Sequence, residues 1–393
     1  MTTLSVVIPA YNEEDGLAAI VRRVLSMQAD LARVGVDGME LLVVDDGSGD
    51  RTREIAGIFA NTLDNFHLIP HPHNKGYGAA LKTGFGLARG ELIAFLDADG
   101  TYPPEYLPQL CQKALNGADL VIGSRMAGAA SQMPFTRRLG NLFFANLLTL
   151  VGRQRVTDSA SGMRVFRREV LERVSPLPDG LNLTPVMSTR AIHEGVPMAE
   201  VPIPYSERVG RSKLSVVRDG SLFLRSIIWT VLTYNPVRIL GLIGLLGMGL
   251  GLLAALGLVA ARVRGVTSLA YLEVAALFAG GVAGITGLSI FSLGITFNYL
   301  VSLFHRRPVR QGLFGKPLFR TPLENHFSWL GLLTLGLGLL LGLASLALSL
   351  RGWEITRLWL YLLASAMLIL VGVQLIISWV LQRVLQELRD NHS

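Results

Sequence analysis

The sequence predicts an α/β domain with a mainly parallel sheet, followed by an amphipathic segment and a four-helix membrane domain. Three observations lead to this fold class. Over about the first 235 residues, short apolar runs alternate with helical patterns, as in α/β domains. Four long stretches without a charged residue follow within 236–393. Finally, 50% of the residues are hydrophobic and only 17% are charged, with a mean hydropathy of +0.44, whereas soluble domains have about 25% charged residues.

The first part of the chain contains five predicted strands and three predicted helices. Continuous apolar runs bounded by turn residues indicate the strands, and apolar residues at helical spacing indicate the helices. The strands cover 4–9, 40–47, 66–71, 91–99 and 118–125, and the helices cover about 14–34, 50–60 and 76–89. Successive β-α units with such strands predict a parallel sheet covered on both faces. Ligands of these sheets bind at the carboxyl ends of the strands.

The second part of the chain contains four predicted transmembrane helices. The uncharged stretches cover 239–261, 274–304, 327–350 and 358–382, and each exceeds the roughly 20 residues that a span needs. Five positive charges lie in the loop between the second and third helices: Arg306, Arg307, Arg310, Lys316 and Arg320. The positive-inside rule then places this loop, both termini and the α/β domain in the cytoplasm. We expect an integral protein of a prokaryotic plasma membrane.

The net charge of +7 comes from the membrane half. Residues 1–235 hold 24 basic and 24 acidic side chains, and residues 236–393 hold 12 and 5. The basic character therefore describes loops that flank membrane helices, and nucleic acid is not an expected partner. The single cysteine excludes an internal disulfide framework. The N-terminus reads as a strand, so no signal peptide is expected.

The segment 212–236 links the two parts. Its apolar residues recur at helical spacing, with Arg218, Asp219 and Arg225 on the other side. An amphipathic helix beside a membrane span is expected to lie in the membrane interface, and the alternative is a helix packed on the sheet. The predicted organisation is an α/β domain over 1–211, this juxtamembrane segment over 212–236, and a transmembrane domain over 237–393.

The stretch FLDADGTYPPE (95–105) is the first candidate site. Asp97 and Asp99 follow an apolar run, and side chains two residues apart on an extended chain point the same way. Mg²⁺ prefers oxygen ligands and takes one or two carboxylates together with substrate phosphates. The position at a strand end therefore favours a metal site over a solvated strand end.

Two further strand ends carry polar side chains. In VVDDGSGD (43–50), Asp45 and Asp46 precede a turn and are expected to face the ligand crevice, where a carboxylate accepts hydrogen bonds from a nucleobase or ribose. In IPAYNEE (8–14), Tyr11 offers a ring on which a base could stack. Each motif also has a structural explanation, since strand-end polar groups commonly cap the next helix.

Together these motifs resemble glycosyltransferase family 2, with its GT-A nucleotide-sugar fold. The matching stretches, in family order, are VVIPAYNEE, VVDDGSGD, NKGYGAALKTG, FLDADGTYPPE, GSRMAG, DSASGMRVFRREVL and RVGRSKLSVVRDG. With the membrane helices, the chain is similar to the polyprenyl-phosphate branch, which includes dolichol-phosphate mannosyltransferases and bacterial polyprenyl-phosphate glucosyltransferases. The resemblance implies transfer of a hexose from a GDP- or UDP-sugar to a dolichyl or undecaprenyl phosphate, with inversion and with Mg²⁺ or Mn²⁺.

The resemblance also implies roles for individual residues. Asp97 and Asp99 would bind the metal. Residues implied in catalysis are Asp99, Arg125, Asp158, Arg208 and Lys213. Residues implied in nucleotide-sugar binding are Pro9, Tyr11, Asn12, Glu13, Asp45, Asp46, Lys75, Asp97, Ala98, Asp99, Arg125, Arg208 and Lys213. Residues implied in lipid-phosphate binding are Arg138, Ser161, Arg164 and Arg211.

The acceptor chemistry is consistent with these roles. A phosphate oxygen is already anionic at neutral pH, so it needs no strong general base, and the charge on the departing diphosphate needs cations. Other branches of the family keep an Asp that acts as a base at about the position of Asp158, so the resemblance leaves two roles open for Asp158: a base, or a group that orients Arg164 or the acceptor. The chain departs from many mannosyl relatives at Gly100-Thr101, which leaves the donor sugar open. Arg208, Arg211 and Lys213 have an alternative role in binding anionic lipid headgroups.

Two other functions fit the sequence less well. A processive membrane polysaccharide synthase typically carries a Gln-x-x-Arg-Trp motif, which residues 200–260 lack. A transporter or flippase with a regulatory nucleotide-sugar domain would need polar groups at mid-membrane depth, and Asn298 and Gln374 are weak candidates. We expect the membrane domain to anchor the enzyme and to allow assembly of a homo-oligomer.

Overall fold

The computed structural model describes residues 2–126, 133, 135–151, 156–205, 216–266, 269–305 and 323–390. The chain divides into two compact units, Met1–Thr230 and Val231–Ser393. The first unit contains the sheet and the helices that cover it. The second contains four long apolar helices.

The first unit is built on a seven-stranded sheet. Its strands are β1 (Thr2–Ala10), β2 (Val36–Asp45), β3 (Phe66–Pro70), β4 (Leu92–Phe95), β5 (Leu120–Ser124), β6 (Arg164–Arg167) and β7 (Met198–Pro202). They lie in the order β3-β2-β1-β4-β6-β5-β7. Every neighbouring pair is parallel except those of β6, which runs antiparallel to both β4 and β5. The mainly parallel sheet predicted from the sequence is confirmed.

Helices cover both faces of this sheet. The described helices of residues 2–235 are α1 (Leu17–Leu25), α2 (Gln28–Arg33), α3 (Thr52–Ala60), α4 (Tyr77–Leu87), α5 (Leu107–Leu115), α6 (Phe135–Val151), α7 (Val170–Val174), α8 (Leu183–Glu194) and α9 (Val216–Tyr234). Residues of α1, α2, α3 and α5 share one buried cluster with Leu4, Val6 and Ile8 of β1. Residues of α4, α7 and α8 share the other with Val7. Alternate residues of β1 thus enter opposite cores, as the pleat of a strand requires.

Several element bounds shift by a few residues, and two differences bear on the site. The predicted helix over 14–34 is two helices, α1 and α2. The predicted strand 91–99 ends at Phe95, so Asp97 and Asp99 lie in the following loop. The chain turns there because Asp99 Oδ1 accepts hydrogen bonds from the N–H and Oγ1 of Thr101, and Gly100 takes a φ of 76°.

Among its described residues, the second unit contains four helices that are long and apolar enough to cross a membrane. They are α10 (Pro236–Val263), α11 (Tyr271–His305), α12 (Phe327–Leu350) and α13 (Ile355–Asp390). The predicted number of membrane-length helices is confirmed. Glycines allow close helix packing: a Cβ on Gly251 of α10 would lie 2.7 Å from Gly284 Cα of α11. Small residues at such crossings are typical of membrane helices.

Candidate active site

The loops after β1 and β2 are joined at the carboxyl edge of the sheet. The N–H of Asn12 donates to Ser48 Oγ (3.0 Å), and Asn12 Oδ1 accepts the N–H of Gly49 (2.8 Å). Asn12 has a φ of 50°, a left-handed conformation in which asparagine is enriched. Its side chain therefore serves to join the loops, while Tyr11 beside it remains 37% exposed. Of the other predicted residues here, Pro9 is buried and Glu13 is half-buried.

Asp45, at the end of β2, is fully buried and orders its own loop. Its Oδ2 forms an ion pair with Arg53 Nε (2.8 Å), and its Oδ1 accepts the N–H of Ser48 (3.1 Å). Arg53 also donates to the carbonyl of His71 (2.9 Å). Both carboxylate oxygens thus have protein partners, and the predicted contact with a nucleoside stays a prediction.

Asp46 fixes the loop that leads into α4. Its Oδ1 accepts the N–H of Lys75 and its Oδ2 accepts that of Gly76, both at 2.9 Å. Its Oδ1 also lies 2.7 Å from His71 Nδ1. Gly76 has a φ of 104°, which favours glycine strongly. The carboxylate therefore holds two successive amides at the start of α4, while the side chain of Lys75 is exposed.

Asp97 is held between a tyrosine hydroxyl and a glycine. Tyr77, the first residue of α4, donates its hydroxyl to Asp97 Oδ1 (2.8 Å). Burial and the neighbouring Asp97 raise the pKa of Tyr77 well above its ordinary value, so the hydroxyl stays protonated. On the other side, a Cβ on Gly162 would lie 2.6 Å from Asp97 Oδ2. A residue larger than glycine at position 162 would displace the carboxylate.

The second acid of the pair, Asp99, is 8% exposed. Its Oδ1 is held by Thr101, whose hydroxyl donates over 2.6 Å. Between the two acids, Ala98 is buried, and its carbonyl lies 3.0 Å from the position of a Cβ on Gly16. The loop is thus packed against the residue that precedes α1, and its two carboxylates are each oriented by a neutral donor.

The donor set suits Mg²⁺ or Mn²⁺. Within the described part of the chain, no three His, Cys, Asp or Glu side chains group into a ready-made metal cage. Two carboxylates fit a hard cation that takes its remaining ligands from phosphates and water. The site also needs a residue without a side chain at position 162, because only glycine leaves space there for the Asp97 carboxylate; we call this contact the Gly162 cradle.

A buried ion pair follows β5. Arg125 binds Asp158 through Nε (2.7 Å) and Nη2 (2.8 Å), and its own N–H donates to Asp158 Oδ2 (3.0 Å). Asn141 of α6 donates from Nδ2 to Asp158 Oδ1 (2.9 Å). The Arg125 guanidinium lies 5.6 Å from the ring centroids of both Tyr102 and Tyr205, within range of a cation–π contact. These contacts fix the guanidinium in one position.

The pair keeps Asp158 ionised. Burial on its own would raise the pKa of Asp158, but the ion pair with Arg125 and the Asn141 amide hold it below its ordinary 3.8. Burial would likewise lower the pKa of Arg125, but Asp158 and the tyrosines raise it above its ordinary value. A carboxylate with a lowered pKa is a weak base, so this arrangement suits an orienting group.

Arg164 and Ser161 lie below the surface of the site. Arg164, on β6, is fully buried; its Nε donates to the carbonyl of Ser161 (3.1 Å) and its Nη2 to that of Ser159 (2.7 Å). Burial lowers the pKa of Arg164 to about 10. Ser161 Oγ donates to the carbonyl of Gly123 (2.6 Å). The predicted contacts of both with a lipid phosphate stay predictions, whereas Arg138 of α6 is exposed.

Three predicted site residues, Arg208, Arg211 and Lys213, lie outside the described residues. The fold brings Tyr77 and Gly162 to opposite sides of Asp97, and Asp46 to the backbone just before Tyr77. It also brings Arg125 to Asp158. The sequence did not point to Tyr77, Asn141 or Tyr205, although the NKGYGAALKTG motif contains the first of them.

Comparison with known proteins identifies the family. Residues 5–175 match the profile of glycosyl transferase family 2. A protein named dolichyl-phosphate hexose transferase from Haloferax volcanii is 34% identical over 225 residues, which cover 57% of this chain and 92% of that protein. The chain belongs to glycosyl transferase family 2. The resemblance to its polyprenyl-phosphate branch is confirmed, as is the predicted order of a mainly parallel α/β domain followed by membrane-length helices.

Other relatives of this glycosyltransferase extend into the second unit. An undecaprenyl-phosphate 4-deoxy-4-formamido-L-arabinose transferase from Klebsiella pneumoniae is 29% identical over 333 residues, 81% of this chain and 94% of that protein. Residues 236–393 match a family described only as a domain of unknown function. Among solved structures, glucosyl-3-phosphoglycerate synthase from Mycobacterium tuberculosis in complex with Mn²⁺, UDP and phosphoglyceric acid aligns with a TM-score of 0.46 and 21% identity, covering 59% of this chain and 78% of that one.

Proposed function

We propose that this glycosyltransferase moves a hexose from a nucleotide-diphosphate sugar to a polyprenyl phosphate, with inversion at the anomeric carbon. One observation carries the proposal. A single chain combines a sugar-transferase site, with an acidic pair and a buried Arg–Asp pair at the carboxyl edge of a GT-A sheet, with four helices long enough to cross a membrane. The names of its relatives, a dolichyl-phosphate hexose transferase and undecaprenyl-phosphate sugar transferases, support a lipid-phosphate acceptor.

In the reaction, an anionic oxygen of the lipid phosphate attacks the anomeric carbon of the donor. The bond from that carbon to the diphosphate breaks, and the nucleoside diphosphate leaves with the electron pair. No proton has to move, because the attacking oxygen is already ionised. Asp158 therefore acts as an orienting group for Arg125, in keeping with its lowered pKa.

The donor binds at the loops that follow β1 and β4. Tyr11 offers an accessible ring for the base, and Asp97 and Asp99 hold a Mg²⁺ or Mn²⁺ ion. When bound, that ion neutralises charge developing on the departing diphosphate. Arg125, whose side chain is 13% exposed, supplies a fixed cation for the diphosphate, and a fixed charge costs no reorganisation during the reaction.

The acceptor is a membrane lipid, so the active site must work beside the bilayer. The helix α9 ends at Tyr234, and the first membrane-length helix begins at Pro236. Trp229 of α9 is 61% exposed, which suits a helix in the membrane interface. We propose that Arg138, Arg208, Arg211 and Lys213 meet the phosphates or anionic headgroups there, with the catalytic domain and both termini in the cytoplasm.

The test is a panel of radiolabelled UDP- and GDP-hexoses, each incubated with the full-length enzyme, polyprenyl phosphate and Mg²⁺ or Mn²⁺. We expect one donor to give a lipid-extractable product, and Asp99→Asn to abolish it. The anomeric configuration of the product, read by NMR, tests inversion. Absence of lipid-linked product with every donor, or retained configuration, would refute the corresponding part of the proposal.

A further inference from the structure

The hydroxyl of Tyr77 links two of the strand-end acids. It donates to Asp97 Oδ1 over 2.8 Å, and Tyr77 directly follows Gly76, whose N–H is held by Asp46 Oδ2 at 2.9 Å. The N–H of Lys75 is held by the other oxygen of Asp46. A short chain of contacts therefore runs from the end of β2, through the start of α4, to the loop after β4.

The start of α4 is fixed from a second direction as well. The N–H of Ala79 donates to the carbonyl of Asp179 (3.0 Å). A Cβ on Gly76 would lie 2.6 Å from that same carbonyl, and a Cβ on Gly78 would overlap the carbonyl of Pro178. The backbone that carries Tyr77 consequently has little freedom to shift. A donor on such a rigid support is well suited to orient a carboxylate.

We propose that Tyr77 is a positioning residue that sets the orientation of the Asp97 carboxylate, and that Asp46 acts on Asp97 through it. This inference rests on the proposed function, in which Asp97 is a metal ligand. Tyr77 Oη on one oxygen and the Gly162 backbone beside the other confine the carboxylate to one rotation. Outer partners that orient metal ligands typically contribute 10- to 100-fold to metal affinity.

The proposal gives Asp46 a role that differs from direct nucleoside binding. Asp46 is 3% exposed, and its two oxygens accept the backbone amides of Lys75 and Gly76. Through those amides it determines where α4 begins, and hence where the hydroxyl of Tyr77 lies. Loss of the Asp46 carboxylate should then weaken the metal site although Asp46 does not contact the metal.

The test measures binding of Mn²⁺ to the full-length protein in detergent, by loss of the electron paramagnetic resonance signal of free Mn²⁺. Titrations are run with Mn²⁺ alone and with UDP or GDP added. Tyr77→Phe removes only the hydroxyl and keeps the ring. We expect it to weaken Mn²⁺ binding about 10- to 100-fold. The matched control is Tyr106→Phe, a half-buried tyrosine packed against the other core, which should stay within about twofold of wild type.

Asp97→Asn serves as the reference for a lost site. If wild-type protein binds no Mn²⁺ under any condition, both the metal assignment and this inference are overturned. If wild type binds, Asp97→Asn does not, and Tyr77→Phe equals wild type, only the inference is overturned.

A double-mutant cycle tests the link to Asp46. We expect Asp46→Asn to weaken Mn²⁺ binding in the wild-type background and to add little in the Tyr77→Phe background. Fully additive effects would overturn the route through Tyr77. The thermal unfolding midpoint of each variant, measured without metal, separates a loss of Mn²⁺ affinity from a general loss of fold.

Discussion

The buried pair of Arg125 and Asp158 makes a quantitative prediction for Asp158→Asn. Four hydrogen bonds reach the Asp158 carboxylate: three from Arg125 and one from Asn141. An asparagine at position 158 keeps one acceptor oxygen, but its NH₂ group would point at N–H groups of Arg125 or Asn141 and could not accept their hydrogen bonds. Arg125 would then be a buried charge without its partner. Removing one member of a buried pair costs about 3–5 kcal/mol, and at about 2–4 °C per kcal/mol for a domain of this size the unfolding midpoint should fall by about 10 °C.

The assay is thermal unfolding of the full-length protein, followed by circular dichroism from pH 5 to 8. The folded pKa of Asp158 is lowered, so its contribution is present above the unfolded pKa and is lost only as the pH falls through the folded value. The difference between wild type and Asp158→Asn should therefore be constant over this range. The matched control is Glu105→Gln, which breaks an Arg–carboxylate pair of the same bidentate geometry with side chains 41% and 46% exposed. It should cost at most about 1 kcal/mol.

The orienting role would be refuted by a specific pattern. If Asp158 were a general base, Asp158→Asn would leave stability near that of wild type. The same substitution would lower kcat by about 10²- to 10⁴-fold and remove one ionisation from the pH–rate profile. A loss of stability below about 1 kcal/mol together with that profile would contradict the account of the ion pair.

Three further substitutions probe separate parts of the first unit. Gly162→Ala would put a Cβ 2.6 Å from Asp97 Oδ2; we expect at least a tenfold loss of Mn²⁺ affinity in a Mn²⁺ titration, and unchanged affinity would contradict the cradle. Gly84→Ala would overlap the Val7 side chain where α4 packs on β1; we expect a loss of about 1–3 kcal/mol in chemical unfolding with an unchanged donor KM. Arg164→Lys should lower stability without raising the KM for the lipid, since Arg164 is fully buried, and a raised lipid KM with unchanged stability would favour a lipid contact.

Hydropathy alone was sufficient to predict the two halves of the chain. The strands β1, β2, β4 and β5 are continuous apolar runs, and four uncharged stretches correspond to the membrane-length helices. Strand β6 has only four residues and begins with the buried Arg164. A charged residue at such a position gives no strand signal, and the pairing of Ala94 with Val165 joins residues far apart in sequence. The antiparallel strand β6 could therefore not be predicted from local sequence patterns.

Some residues of the candidate site could likewise be predicted from the sequence, and others could not. Carboxylates at strand ends are visible in the sequence because apolar runs lead directly into them. Their partners are not, because the contact of Tyr77 with Asp97 spans 20 residues and that of Asn141 with Asp158 spans 17. Only the packing of α4 and α6 brings these side chains to the acids. Sequence patterns located the acids but did not show their protein partners, such as Arg53 and the N–H of Ser48 at Asp45.

The measurement that tests the central claim most directly is mass spectrometry of the lipid extract after one reaction, with release of nucleoside diphosphate followed in parallel. The account predicts polyprenyl phosphate heavier by a single hexosyl unit and one nucleoside diphosphate released for each product formed. Multiple sugar additions, or nucleoside diphosphate release with all of the sugar left in the aqueous phase, would contradict it.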